Sequence, residues 1–70
     1  MVPLTLAKTG ERNLIKRIGG KPETRRFLES LGFVEGGAIT VVCEMAGNVI
    51  VSVKDARVAV SREMAKHIMV

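Results

Sequence analysis

The sequence predicts a mainly β protein: a small, partly open barrel of five to six short strands with one α-helix. Ten valines and five isoleucines supply branched side chains of the kind that pack well in strands. Short runs of alternating apolar and polar residues are separated by tight turn signals. A chain of 70 residues has room for one domain only, so we expect a single domain over residues 1–70.

Two strands are predicted before the helix. The Leu-Thr-Leu segment at 4–6 indicates a short first strand with Pro3 at its start, where a missing N–H is tolerated. Weak alternation over 12–18 predicts a second strand, and the pair of glycines that follows ends it.

The clearest helix is predicted over residues 22–31. Pro22 fits the first turn, Glu23 lies near the positive end of the helix dipole, and Gly32 is placed to cap the C-terminus. One apolar stripe is expected to pack on the sheet, and it consists of Phe27, Leu28 and Leu31.

A hairpin of two alternating strands follows the helix. One face of its first strand is predicted to carry Ile39, Val41, Cys43 and Met45, and one face of its second strand Val49, Val51 and Val53. Between the strands, Ala46-Gly47-Asn48 predicts a three-residue loop, because two of these residues accept positive φ.

The last part of the chain predicts a further strand, a helical turn and a closing strand. A tight connection at 54–56 leads into a strand over 57–60. Ser61 is expected to cap a short helical turn near 61–67. The segment 68–70 is long enough for a closing strand, which we expect to pair with the first one.

The charge balance is compatible with solvated faces of a small domain and with a basic surface that binds another molecule. The chain has 11 lysines and arginines against 7 acidic residues, a net charge of +4, which suits nucleic acid, anionic lipid or an acidic protein. Two phenylalanines without tryptophan or tyrosine argue against a base-stacking platform, so we expect no nucleic acid partner. The alternative is a small basic barrel that binds nucleic acid through Lys16, Arg17, Arg25, Arg26, Arg57 and Arg62.

The residues present do not indicate metal or catalytic chemistry. Cys43 and His67 are the only cysteine and histidine, whereas a structural zinc site uses about four such ligands. We therefore expect no metal site and no cofactor, with Cys43 packed in the core and His67 exposed at a helix end. A weak surface metal site at either residue stays open. Because the sequence has no nucleophile elbow, paired-histidine motif or phosphate-binding loop, we expect no enzyme.

The chain is predicted to be cytoplasmic. A single cysteine cannot close an internal disulfide, which is typical of a reducing compartment. The first residues lack the pattern of a signal peptide. The longest run without charged residues is nine, at 45–53, against about 20 for a membrane-spanning helix.

Residue patterns over most of the chain resemble a known family. Leu31-Gly32-Phe33 is followed by Gly36, a hairpin turns at Gly47, and the chain ends with Val58-Ala59-Val60, Ala65, Ile68 and Val70. In order and spacing these pieces resemble the family of small ferrous iron transport protein A, FeoA. Two departures are Glu35, where the family usually has proline, and Val60-Ser61, where it tends to have Leu-Arg.

The resemblance implies an SH3-like barrel and a cytoplasmic accessory role in bacterial ferrous iron uptake. The implied partner is the GTP-dependent ferrous iron permease of the inner membrane, contacted at its cytoplasmic GTP-binding part or its pore face. The protein would be peripheral to that membrane at most. The oligomeric state stays open, with a monomer favoured. The same barrel resembles the C-terminal domain of iron-dependent repressors, so a regulatory domain of that kind is a further alternative.

Partner-binding residues are predicted around the helix and the turn after it. Hydrophobic residues make up 47% of the chain, more than so small a domain easily buries, so we expect Phe33 or Val34 to stay partly exposed. An exposed aromatic beside arginines is typical of protein interfaces. The predicted contact residues are Arg25, Arg26, Phe33 and Arg57. The alternative is that Phe33 fills the bottom of the barrel.

Overall fold

A computed structural model describes residues 1–70 and confirms the mainly β architecture. A 3-10 turn at Leu4–Leu6 precedes six strands and two helices. In chain order these are β1 (Arg12–Leu14), β2 (Arg17–Ile18), α1 (Pro22–Ser30), β3 (Ala38–Met45), β4 (Asn48–Val53), β5 (Ala56–Ser61), α2 (Arg62–Ala65) and β6 (Ile68–Met69). None of the helices is long and apolar enough to cross a membrane.

The strands form two antiparallel sheets. The larger sheet has the order β1-β3-β4-β5, and β2 pairs with β6 in the smaller one. The segment predicted as one strand over 12–18 forms two strands, β1 and β2. Ile15 and Ile18 are both buried at a spacing of three, which a straight strand with a period of two does not allow. The N–H of Ile15 still bonds to the Gly37 carbonyl beside β3, while the next N–H, of Lys16, bonds to the Met69 carbonyl, both at 2.8 Å.

The N-terminal segment closes the barrel by a route that differs from the prediction. Residues 4–6 form a 3-10 turn rather than a strand, with the Leu6 N–H donating to the Pro3 carbonyl at 2.9 Å. The chain ends are instead joined through Val2, whose N–H and C=O both bond to Val70, at 2.9 and 2.8 Å. Three alternating residues are too few to separate a strand from a turn.

The core consists of 14 buried apolar residues and contains no buried polar residue. Its members are Leu4, Ile15, Ile18, Leu28, Phe33, Ile39, Val41, Val49, Val51, Val53, Val60, Ala65, Ile68 and Val70. All three valines predicted on one face of β4 are among them, as the two-residue period of a strand requires. From α1 only Leu28 is fully buried.

A β-bulge in β3 changes which side chains face the core. Val41 pairs with Val51, but the next paired residue of β3 is Cys43, opposite Ile50, so β3 contains one extra residue. Past this point Cys43 lies half-buried on the outer face beside Ile50, and Met45 is 65% exposed. The predictions that Cys43 packs in the core and shares a face with Val41 are therefore wrong.

Both hairpin loops consist of two residues with left-handed backbone. Met45 pairs with Asn48, so the β3–β4 loop is Ala46-Gly47, with φ of 50° and 80°, and not the three residues predicted. The β4–β5 loop is Lys54-Asp55, with φ of 48° and 62°. Positive φ at both central positions is typical of the type I′ turn, whose twist matches that of the flanking strands.

Ala46→Asn is expected to stabilise the fold. The β-carbon of alanine crowds the backbone at φ 50°, whereas asparagine tolerates this region and forms the Asn-Gly pair that type I′ turns favour. We expect the free energy of unfolding to rise by about 1 kcal/mol, measured by urea denaturation. Ala59→Asn, at an exposed position in β5, is the control and should give no increase. An equal increase in both variants would contradict the explanation by turn geometry.

Candidate protein-interaction surface

The predicted arginines of α1 point to solvent. Arg25 and Arg26 are both exposed, and neither takes part in an ion pair. The salt bridges of the structure lie elsewhere, between Arg62 and Glu44 at 2.6 Å and between Lys66 and Glu63 at 3.8 Å. Carboxylates of another molecule could therefore reach Arg25 and Arg26 without displacing a carboxylate of this chain.

The turn that ends α1 directs Phe33 into the core. The Gly32 N–H donates to the Glu29 carbonyl at 3.0 Å, and the Phe33 N–H donates to the Leu28 carbonyl at 3.1 Å, which is the Schellman pattern. Gly32 supplies the left-handed residue that this pattern needs, with φ 103°. Phe33 and Leu28 are both 0% exposed. A side chain buried in this way has no surface to offer a partner, so the predicted contact role of Phe33 does not hold, and its burial matches the alternative.

The exposed aromatic of this region is Phe27, which the sequence prediction assigned to the buried stripe. Phe27 is 49% exposed, whereas Leu28 is buried and Leu31 packs partly against the core. Successive helical residues are about 100° apart, so a face formed by residues 24, 28 and 31 leaves residue 27 at its margin. The half-buried Thr24 lies on that face. A helical wheel with Leu28 at the centre of the buried face would have predicted the exposure of Phe27. The sequence alone does not identify Leu28 as that centre, because the Schellman turn sets the rotation of the helix.

Arg57 lies on a different element, near the start of β5. It pairs with Ser52, and the register of the larger sheet aligns this pair with Thr40 and Arg12 in one row on the outer face. A shallow pocket of about 390 Å³ on this face is lined by Arg12, Ala38, Thr40, Ser52, Lys54 and Asp55. The predicted arginines thus form two regions of the surface, one on α1 and one on the sheet.

The two regions approach each other at the β4–β5 turn. A β-carbon added to Gly32, just beyond the end of α1, would lie 3.6 Å from the side chain of Lys54. Lys54 is exposed, opens the turn that leads into β5, and has no ion-pair partner. A cationic side chain therefore lies between the end of α1 and the outer face of the sheet.

Cys43 and His67 lie on different parts of the fold, Cys43 in β3 and His67 between α2 and β6. Cys43 lies on the outer face of β3, and His67 is half-buried against Gly20, where an added β-carbon would lie 3.3 Å from the imidazole ring. The exposed position predicted for His67 is wrong, because the ring packs over this glycine. No group of three or more His, Cys, Asp or Glu side chains converges in the structure. Of the predicted contact residues, the fold leaves Arg25, Arg26 and Arg57 exposed.

Comparison with solved structures places the fold among small SH3-like barrels. The structure of Stenotrophomonas maltophilia FeoA complexed with zinc, described as a procaryotic SH3 domain protein, matches with a TM-score of 0.83 at 20% identity, over 99% of this chain and 88% of that one. A crystal structure of the iron uptake regulatory protein FeoA matches with a TM-score of 0.87 at 32% identity, over 97% of this chain and 90% of that one.

Sequence comparison identifies the family. Residues 2–70 match the family model described as the FeoA domain. A protein of Methanocaldococcus jannaschii, provisionally named Fe(2+) transport protein A, is 36% identical over 70 residues, covering 100% of this chain and 85% of the relative. The chain belongs to the FeoA family, a family of ferrous iron transport accessory proteins that is not a known enzyme family. The resemblance seen in the sequence is confirmed.

The two phenylalanines are expected to differ in their contribution to stability. Phe33→Ala removes a fully buried ring and should lower the free energy of unfolding by about 3–5 kcal/mol, a large share of the total for a domain of this size. Phe27→Ala removes a half-exposed ring and should lower it by no more than about 1 kcal/mol. Urea denaturation of the two variants measures both values. Equal losses would contradict the burial of one ring and the exposure of the other.

Proposed function

We propose that this protein regulates ferrous iron uptake from the cytoplasm by binding the cytoplasmic part of the GTP-dependent ferrous iron permease. It acts by protein contact and carries out no reaction of its own. The observation that carries the proposal is that α1 exposes three successive residues, Arg25, Arg26 and Phe27, and that the two arginines have no ion-pair partner. Membership of the FeoA family supports the connection with ferrous iron transport.

The composition of this helix surface suits a protein partner. Aromatic and arginine side chains are enriched at interfaces and supply much of the binding free energy at hot spots. The buried Leu28 and the Schellman turn hold α1 in one orientation before any partner arrives. Less conformational entropy is therefore lost when a partner binds, which raises the affinity.

The outer face of the larger sheet supports a second candidate function. Arg12, Lys54 and Arg57 are exposed there without ion-pair partners and could contact the phosphates of a nucleic acid. The same face presents Thr40, Ser52 and Ile50 but no aromatic side chain on which bases could stack. Single-stranded nucleic acid is therefore the weaker candidate, and its affinity would fall steeply with salt concentration.

The test is an NMR titration of the isotope-labelled chain with the isolated cytoplasmic domain of the ferrous permease. We expect the largest amide shifts on α1. The double variant Arg25→Glu/Arg26→Glu and, separately, Phe27→Ala should each weaken binding about tenfold or more, because both remove interface anchors. The matched control is Lys16→Glu/Arg17→Glu, which makes the same change of charge at exposed residues outside α1 and should have a smaller effect.

Two results would contradict the proposal. Equal weakening by the two double variants would mean that only the net charge matters. No binding to the permease domain, combined with salt-sensitive shifts on adding a single-stranded oligonucleotide, would assign the protein to nucleic acid binding instead.

A further inference from the structure

The β5 strand has an unoccupied edge. It pairs with β4 on one side and is the last strand of the larger sheet. Outside the strand ladders and helices, the backbone makes 18 hydrogen bonds in turns, loops and caps, and none of them involves residues 56–61. The side of β5 that faces away from β4 therefore has backbone groups without partners in this chain.

The hairpin geometry identifies these groups. In a two-residue hairpin the pair that closes the loop, here Val53 with Ala56, exchanges both backbone hydrogen bonds, and such pairs alternate along the ladder. The non-bonded pairs are thus those of Ser61, Arg57 and Ala59 with their β4 neighbours, and the last two lie in the middle of the strand. These two residues direct their N–H and C=O groups to the open edge, and both are exposed.

The edge has only one element of the usual protection against strand pairing, the charged side chain of Arg57. Natural edge strands are kept short, carry charged side chains (lysine above all) or proline, or are interrupted by a bulge. The strand at the opposite edge, β1, has only three residues, whereas β5 has six and contains no lysine, no proline and no break in its register. A strand of this kind is suited to receive an extended segment of another protein by β-augmentation.

We propose that the β5 edge binds an extended acidic segment of a protein partner, which adds to the larger sheet as a fifth strand. This inference rests on the proposed function, since it names a segment through which a protein partner would be held. Arg57 supplies the charge preference: it is exposed on this strand and has no ion-pair partner. The chain as a whole carries a net charge of +4, which attracts an acidic segment.

The pairing defines a sequence pattern for the segment. Every strand pair in this structure is antiparallel, and we take the same direction for the added strand. Its residues opposite Val60 and Val58 lie on the core side and should be apolar, while the residue opposite Arg57 should be acidic. Read from its N-terminus, the segment therefore has four residues in the pattern apolar, any residue, apolar, acidic.

A second copy of this chain fits the edge less well. In a symmetric antiparallel pair centred on Ala59, each Arg57 would lie opposite a Ser61 and would meet no carboxylate. Two chains of net charge +4 would also repel each other. An acidic partner segment would place a carboxylate opposite Arg57 and would be attracted by the net positive charge of the chain.

The experiment uses the full chain and a synthetic peptide, acetyl-Thr-Val-Thr-Val-Glu-Thr-amide. We expect amide shifts confined to β5 and its neighbours, and slower hydrogen exchange at Arg57 and Ala59 when the peptide is bound. Ala59→Pro removes an N–H that points to the open edge and costs no bond to β4, so it should weaken binding about tenfold. Ala59→Val keeps this N–H and is the matched control.

A charge exchange tests the role of Arg57 independently of the proline variant. Arg57→Glu should weaken binding of the acidic peptide about tenfold, and a peptide with lysine in place of glutamate should restore it. Amide spectra of each variant show whether the fold is retained. If Ala59→Pro fails to fold, Arg57→Glu and the exchange data decide the result.

Three outcomes would overturn the inference: unchanged exchange at Arg57 and Ala59 in the presence of peptide, equal affinity of the Ala59→Pro and Ala59→Val variants, or a dimer of the chain that Ala59→Pro abolishes. The peptide experiment contains no permease. A permease domain that does not bind the chain would therefore refute the proposed function alone, whereas peptide failure with intact permease binding would refute the edge inference alone.

Discussion

The hydrogen bond from the Phe33 N–H to the Leu28 carbonyl, made possible by the left-handed Gly32 between them, determines how α1 sits on the barrel. Leu28 is the only fully buried residue of the helix, so this turn and that side chain together set the rotation of α1. With Leu28 facing inward, Arg25, Arg26 and Phe27 are left exposed. The candidate interaction surface is therefore a consequence of how the helix ends.

The way in which the barrel closes decides which strand edge stays open. Val2 and Val70 exchange two backbone hydrogen bonds and join the chain ends beside the smaller sheet. β1 at one edge of the larger sheet is short, and only β5 has a long edge without partners. Because Lys54 lies between the end of α1 and β5, one partner could contact the helix surface and the strand edge together.

Some of the candidate site could be predicted from residue type. Arginine is seldom buried, so the exposure of Arg25, Arg26 and Arg57 follows from their identity and from the polar positions they occupy. The roles of the two phenylalanines could not be predicted in this way. Both are apolar and both lie near the helix end, and only the direction of the Schellman turn buries Phe33 and leaves Phe27 at the surface.

The sequence by itself determined the helix over 22–31, the two hairpins, the buried valines of β4 and the resemblance to the FeoA family, because each depends on local propensity, short-range periodicity or residue order. The tertiary structure decided the 3-10 turn at 4–6, the division of segment 12–18 and the β3 bulge that moves Cys43 to the outer face. These features depend on which strands pair and in which register. That choice depends on burying the whole core at once, and no single segment of the sequence contains it.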